Sequence, residues 1–228
     1  MAAWVYPYMT RIIADISTSI DGFVTGPKPG PQNGLGTGGD ALHTWAFSDD
    51  PDDLRVVRQA TARSGTVILG RKLFDVVDAP GGWNDEIGYG AGEVGKPAFI
   101  VVTSSPPESV RLTDLDWTFV TTGLSDAVST ARQRAEAASS ERDADLDVVI
   151  MGGGATVGSA LGAGLVDALT LHLAPVLLGA GTPLHTGGAQ RRLVQRSVTT
   201  TSTATHLTYD VASQSRRRNS GPANRRSP

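Results

Sequence analysis

Residues 147–161, DVVIMGGGATVGSAL, join a β-branched run to three consecutive glycines and then to a helix-like segment. A helix start aims free backbone N–H groups and the positive end of the helix dipole at whatever precedes it, and glycines let an anion approach the backbone closely. The spacing is not G-x-G-x-x-G, because Val157 stands where the last glycine would be. Two further segments carry related chemistry. VILGRKLFD (67–75) sets Arg71 and Lys72 directly after a buried strand, and paired cations at a strand end hold phosphate oxygens. VVTSSPP (101–107) closes another strand on three hydroxyls, Thr103, Ser104 and Ser105, which suit ribose or phosphate. Three strand ends thus carry anion-binding residues. A fourth stretch, GAGEVGK (90–96), fits G-x-x-x-x-G-K, but Pro97 follows where Ser or Thr is needed and a strand comes after it, so it reads as a loop.

The elements that must position these residues alternate. RIIADIS (11–17), TVILG (66–70), KPAFIVVT (96–103), WTFV (117–120), DLDVVIM (145–151) and DALTLHLAP (167–175) read as strands. Asp50 before Pro51 reads as the N-cap of a helix with Leu54, Val57 and Thr61 on one face. Ser125 reads as the cap of a second helix to about residue 138, with Ala127, Val128, Ala131 and Ala135 on one stripe. A third helix follows the glycines. RRLVQRSVTT (191–200) and TATHLTYDV (203–211) alternate like a closing antiparallel pair. The expectation is an α/β domain of about eight strands, mostly parallel, with an antiparallel edge at its C-terminal end. Residues 18–50 read as a 33-residue loop, a length that in a compact domain goes with function or disorder.

The chain has 228 residues, 39% hydrophobic and 19% charged, enough for one sizeable core. It has no cysteine, which excludes disulfides, thiolate metal sites and cysteine nucleophiles and fits a cytoplasmic protein. No metal site is expected. The net charge of −3 divides into +5 on the last sixteen residues, which hold five arginines and no acid, and −8 on the 212 before them. An acidic body argues against nucleic acid as the main partner, and no apolar run is long enough to span a bilayer. Residues 1–9 read as an extension, 10–212 as the folded domain and 213–228 as an Arg-rich disordered tail.

GRKLF, VVTSS and VIMGGGATVGSAL, with RIIADISTSIDGF ahead of them, resemble the dihydrofolate-reductase-like superfamily. LHLAPVLLGAGTPLH (171–185) is most similar to the reductase domain of riboflavin biosynthesis. The resemblance covers about residues 10–211. It implies a three-layer α/β fold and NADPH as cofactor. It places the adenosine phosphates on Gly70, Arg71, Lys72, Thr103, Ser104 and Ser105, and the pyrophosphate on Gly152, Gly153, Gly154, Ala155, Thr156 and Val157. A cis peptide in the glycine run is part of that pattern. Ala14, Ile16, Asp21 and Gly22 would flank the nicotinamide. The family's substrate-gripping acid falls on Leu54 by register, with Asp53 next to it, and Val157 stands where an aromatic is usual.

The implied activity is hydride transfer from NADPH to a C=N or C=O bond of a small pterin- or diaminopyrimidine-like ring, with Asp21 or Asp53 orienting the substrate or passing a proton. His43 and Trp45, in the long loop, are candidate substrate contacts, one titratable and one for stacking; the alternative is a hydrophobic plug over the sheet edge. His172 reads as a hydrogen-bonded core histidine. The resemblance also implies a homodimer through 192–211. The other readings are a non-catalytic NADPH- or nucleotide-binding sensor, and phosphoryl transfer, against which Lys96–Pro97 argues.

Overall fold

The computed structural model describes residues 9–84, 87–89, 97–187 and 190–212; residues 1–8 of the extension, the GAGEVGK stretch and the Arg-rich tail lie outside these residues. In chain order the strands are β1 (Ile12–Ser19), β2 (Phe23–Thr25), β3 (Ser64–Gly70), β4 (Ala98–Val102), β5 (Trp117–Val120), β6 (Asp147–Gly152), β7 (Ala168–Ala174), β8 (Thr182–Pro183), β9 (Leu193–Thr200) and β10 (Thr205–Val211). The helices are α1 (Pro51–Ala62), α2 (Arg71–Val77), α3 (Leu124–Arg142) and α4 (Gly154–Ala163), with a 3-10 helix at Gly39–Phe47.

One sheet holds eight strands in the order β5-β4-β3-β6-β1-β7-β10-β9. The first six are parallel; β10 and β9 close the far edge antiparallel. A parallel sheet is covered on both faces, which is why β3 and β6 are apolar runs and not alternating ones. One face carries Ile12, Ala14, Ile16, Ile68, Ile100, Val148 and Ile150 against α3 and α4. The other carries Val67, Leu69, Phe99 and Val149, with Val77 of α2 packed on them. The stripe Ala127, Val128, Ala131 and Ala135 is buried as expected; its small side chains let α3 lie close to the sheet.

Three expectations are corrected. The cap of α3 is Gly123, and Ser125 lies inside the first turn. The 33-residue loop contains the last residues of β1, all of β2 (paired with β8) and the 3-10 helix. Asp50 does cap α1, accepting from Asp52 N–H at 2.9 Å, but the buried residue of that helix is Asp53, while Leu54 is exposed. The helix is rotated so that its acid, and not its apolar stripe, faces the sheet, because β10 supplies polar partners there.

The sheet is split near its middle. Pairing of β1 with β6 ends at Ala14–Ile150, whereas pairing with β7 runs on to Ser19–Ala174, and β6 stays with β3 to Gly152–Leu69. From Asp15 onward β1 therefore diverges from β6, and the carboxyl ends of the strands frame an opening. Such openings are where α/β sheets take ligands.

Candidate active site

Three parallel neighbours, β4, β3 and β6, end on Thr103, on Gly70–Arg71 and on Gly152, so the three anion-friendly segments lie along one sheet edge. The Gly152–Gly153 peptide is cis. Gly153 caps α4 with no side-chain cap bond, and a Cβ placed on it would meet no atom within 4 Å. The glycines either side of this gap are there for packing. A Cβ at Gly70 would fall 2.2 Å from Thr156 Oγ1, and one at Gly154 2.4 Å from Val24 Cγ2. Thr156 and Gly70 thus tie the ends of β3 and β6 together, with open space over Gly153. Ala155 is exposed and Val157 is buried beneath.

Arg71 lies between the ends of β3 and β4. Its Nε donates to Asp75 at 2.7 Å and its Nη1 to the Ser105 carbonyl at 2.8 Å. Thr103 is buried and its hydroxyl donates to the same carbonyl at 2.7 Å, so the hydroxyl segment is a tight turn under the guanidinium. Lys72, Ser104 and Ser105 are exposed. A cleft of about 630 Å³ opens beside them, lined by Arg71, Phe74, Asp75, Asp78 and residues 105–109.

At the other end, Ala14 and Ile16 are buried on the α4 side of β1, and the Ile16 Cδ1 lies 3.9 Å from where a Gly152 Cβ would stand. Gly22 takes φ +84 in the turn after β1. Asp21 in that turn accepts from Ser19 Oγ at 2.5 Å, from Leu178 N–H at 3.1 Å and from Gly179 N–H at 2.7 Å. The Ser19 hydroxyl, with the two amides adding to it against desolvation, holds this carboxyl below its ordinary range. Asp21 clasps two loops.

Asp53 is elsewhere. It is fully buried, accepting from Ser48 Oγ at 2.5 Å, from Thr203 Oγ1 at 2.5 Å and from His206 Nε2 at 2.8 Å. Burial acts to raise its pKa, and the donors Ser48, Thr203 and His206 together outweigh that and lower it. His206 continues to His172, Nδ1 to Nδ1 at 2.7 Å, and His172 Nε2 reaches Asp15 Oδ1 at 2.8 Å. A continuous chain, Asp53–His206–His172–Asp15, therefore crosses the sheet from α1 through β10 and β7 to β1, and ends at the split.

Trp45 covers this chain. Its ring stacks on His172 with centroids 3.9 Å apart, meets His206 edge-on at 5.1 Å, and its Nε1 donates to Ser17 Oγ at 3.0 Å. The ring expected to stack on substrate is buried against histidine. His43, on the same 3-10 helix, has a buried Nδ1 with no partner among the described residues. Burial, then the neighbouring His172, push it down to about 4 against the pull of Asp40 and Asp15. Tyr89 bonds Ser64 Oγ at 2.7 Å, and burial with the Asp15 charge pushes its phenol up.

His172 is the bonded core histidine expected, but Asp15 and His206 went unremarked in the sequence. Their signal was there: RIIADIS, DALTLHLAP and TATHLTYDV set Asp15, His172 and His206 within otherwise apolar or Thr-rich strands. Among the described residues no group of His, Asp and Glu has an arrangement that could hold a metal ion, and no helix is long and apolar enough to cross a membrane.

The family model for the RibD C-terminal domain matches residues 10–207. No curated protein matches the chain. Among solved structures, a putative riboflavin biosynthesis protein from Shewanella sp. PV-4 is 19% identical with a TM-score of 0.60, covering 90% of this chain and 100% of its own. A pyrimidine reductase-like protein from Corynebacterium diphtheriae is 17% identical with a TM-score of 0.56, covering 90% and 93%. A diaminohydroxyphosphoribosylaminopyrimidine deaminase/5-amino-6-(5-phosphoribosylamino)uracil reductase from Thermotoga maritima is 14% identical with a TM-score of 0.54, and the match covers 89% of this chain and 57% of that one. These likenesses establish the fold.

Proposed function

Because the chain belongs to the RibD C-terminal domain family, we propose that it is an NADPH-dependent reductase of a small heterocyclic substrate, acting on a C=N or C=O bond of a pterin- or diaminopyrimidine-like ring. One observation carries this reading. The glycine run forms an open cradle at a helix N-terminus, with space over Gly153, while Gly154 is packed against Val24 and Gly70 of β3 against Thr156. A pyrophosphate fits such a cradle, since the first-turn amides and helix dipole favour an anion. Gly152, Gly153, Gly154, Ala155 and Thr156 would hold it, above Val157. Gly70, Arg71, Lys72, Thr103, Ser104 and Ser105 would hold the adenosine phosphates, and Ala14, Ile16 and Gly22 would flank the nicotinamide. When bound, the cofactor supplies the hydride; the protein supplies orientation, exclusion of water and a proton.

Asp21 is assigned to shaping the loop at the nicotinamide end, since its carboxylate is committed to Ser19 and two amides. Asp53 is assigned to holding its buried partners, and Trp45 with His43 to roofing the substrate side. The exposed β9 edge, with Leu193, Val194 and Val198, is the proposed homodimer contact.

Titration with NADPH and NADH tests the reading: NADPH binds more tightly, and Arg71→Ala weakens NADPH selectively. Binding of neither nucleotide refutes the proposal. Equal weakening of both by Arg71→Ala refutes the assignment of Arg71 to the 2′-phosphate.

A further inference from the structure

The Asp15–His172–His206–Asp53 chain has three gaps, of 2.8, 2.7 and 2.8 Å, and every gap joins nitrogen or oxygen to nitrogen. At these distances each gap must contain one hydrogen, because two lone pairs cannot face each other so closely. Two neutral imidazoles bring only two hydrogens. The third makes one ring an imidazolium between two carboxylates, or sits on a carboxyl beside two neutral rings. These forms differ by one proton hop along the chain.

Of the two rings, His172 is the better placed to carry the extra charge, on two observations. The Trp45 ring lies flat on His172 at 3.9 Å and meets His206 only by its edge, and an aromatic face stabilises a cation. Burial, opposed by the bond to Asp53, lowers His206. The other titratable groups around the pair are Asp15 on β1, Asp53 on α1, His43 and Asp40 on the 3-10 helix, and Tyr89; His43 and Tyr89 are held in their neutral forms.

The open end is Asp15. Its Oδ1 is bonded to His172, its Oδ2 has no hydrogen-bond partner among the described residues, and its side chain is 19% exposed. It lies where β1 parts from β6, with Gly152–Gly153 on the opposite limb. We propose that this chain is a proton-holding array and that Asp15 Oδ2 is the acid that meets the substrate at the split; this rests on the reductase reading above. Asp15 is loaded with a proton from water at Oδ2. As the carbon of the C=N or C=O bond receives hydride from the nicotinamide reductant, the Asp15 O–H bond breaks and an N–H or O–H bond forms on the substrate. The substrate is reduced by two electrons, the nicotinamide is oxidised by two, and the carboxylate left behind is stabilised by the His172 N–H. Asp15 is the catalytic residue; His172, His206 and Asp53 are positioning residues.

The first test needs no substrate. In the free protein, histidine ¹⁵N–¹H spectra are expected to show three hydrogen-bonded imidazole N–H protons in this pair, with both nitrogens of His172 protonated. Two neutral rings carrying one N–H each, with no carboxyl hydrogen bonded to either ring, overturn the array. The second test uses NADPH with a panel of pterins, diaminopyrimidines and quinones. Asp15→Asn is expected to lower kcat by about 100-fold or more while NADPH affinity stays within about twofold. Unchanged kcat overturns Asp15 as the acid. Asp53→Asn is expected to change the pH profile of kcat while NADPH affinity stays within about twofold; an unchanged pH profile overturns the positioning role. A wild type that binds NADPH yet turns over nothing in the panel sinks the reductase reading and Asp15's role with it, and the spectra still decide the array.

Discussion

Replacing Asp53 probes how much the buried chain contributes to stability. Asp53→Ala leaves three donors without their acceptor. The Ser48 and Thr203 hydroxyls are only partly buried and can turn to water, whereas His206 is 5% exposed and its Nε2–H cannot. A buried unsatisfied donor costs about 1–3 kcal/mol, and breaking a buried charged pair from one side about 3–5 kcal/mol. We expect Asp53→Ala to lose about 3–5 kcal/mol, a large share of the roughly 5–15 kcal/mol typical of a domain. At this size, Tm should fall by roughly 10 °C. Asp53→Asn should lose only about 1–2 kcal/mol, since its carbonyl still accepts from His206 and the hydroxyls can reverse to meet the amide. Urea unfolding followed by circular dichroism at pH 7 measures both. The pH dependence has a definite sign. Asp53 is lowered in the folded state, so its stabilisation is full above the unfolded value near pH 4 and is lost as pH falls through the folded value. The gap between wild type and Asp53→Ala should therefore narrow below about pH 4. A loss under about 1 kcal/mol at pH 7, or a gap that does not narrow on acidification, refutes the reasoning.

The glycine run separates binding from packing. Gly153→Ala fills the open cradle and should weaken NADPH roughly tenfold, as calorimetry would show; Gly154→Ala drives a Cβ to 2.4 Å from Val24 Cγ2 and should cost about 1–3 kcal/mol in urea unfolding. His43, pushed down to about 4, leaves the unfolded chain binding more protons between its ordinary value and that one. Stability should rise by up to about 3 kcal/mol from pH 4 to 6.5, and His43→Gln should flatten that rise.

The frame of the fold was legible because parallel strands covered on both faces appear as apolar runs, and TVILG, AFIVV and DVVIM are such runs. The cap Asp50–Pro51 was legible because its chemistry is local. What failed needed three-dimensional register. Leu54, Val57 and Thr61 form an apolar stripe, yet α1 turns Asp53 inward, because hydroxyl and imidazole partners arrive from residues 203 and 206. The helix inside residues 18–50 has little periodicity, being a 3-10 helix with several glycines before it. Of the site, the three strand-end segments could be read as motifs, each being contiguous. The Asp–His–His–Asp chain could not, since its members lie on four elements and only the order β1-β7-β10 brings them side by side.

That strand order also decides when the site can exist. β1 emerges first during synthesis, but its neighbours are β6 and β7, whose pairing begins at Val148 and Ala168. Asp15 waits for residue 172, and Asp53 for residues 203 and 206. Contacts so distant along the chain make folding slow, because the loops they close must be ordered before any pairing repays them. A nascent chain that has released α1 and β3 holds an aspartate intended for burial with no imidazole to receive it. The acid at the split is in place only once the last strand of the domain has left the ribosome, so a truncated chain has no partly working form of this site.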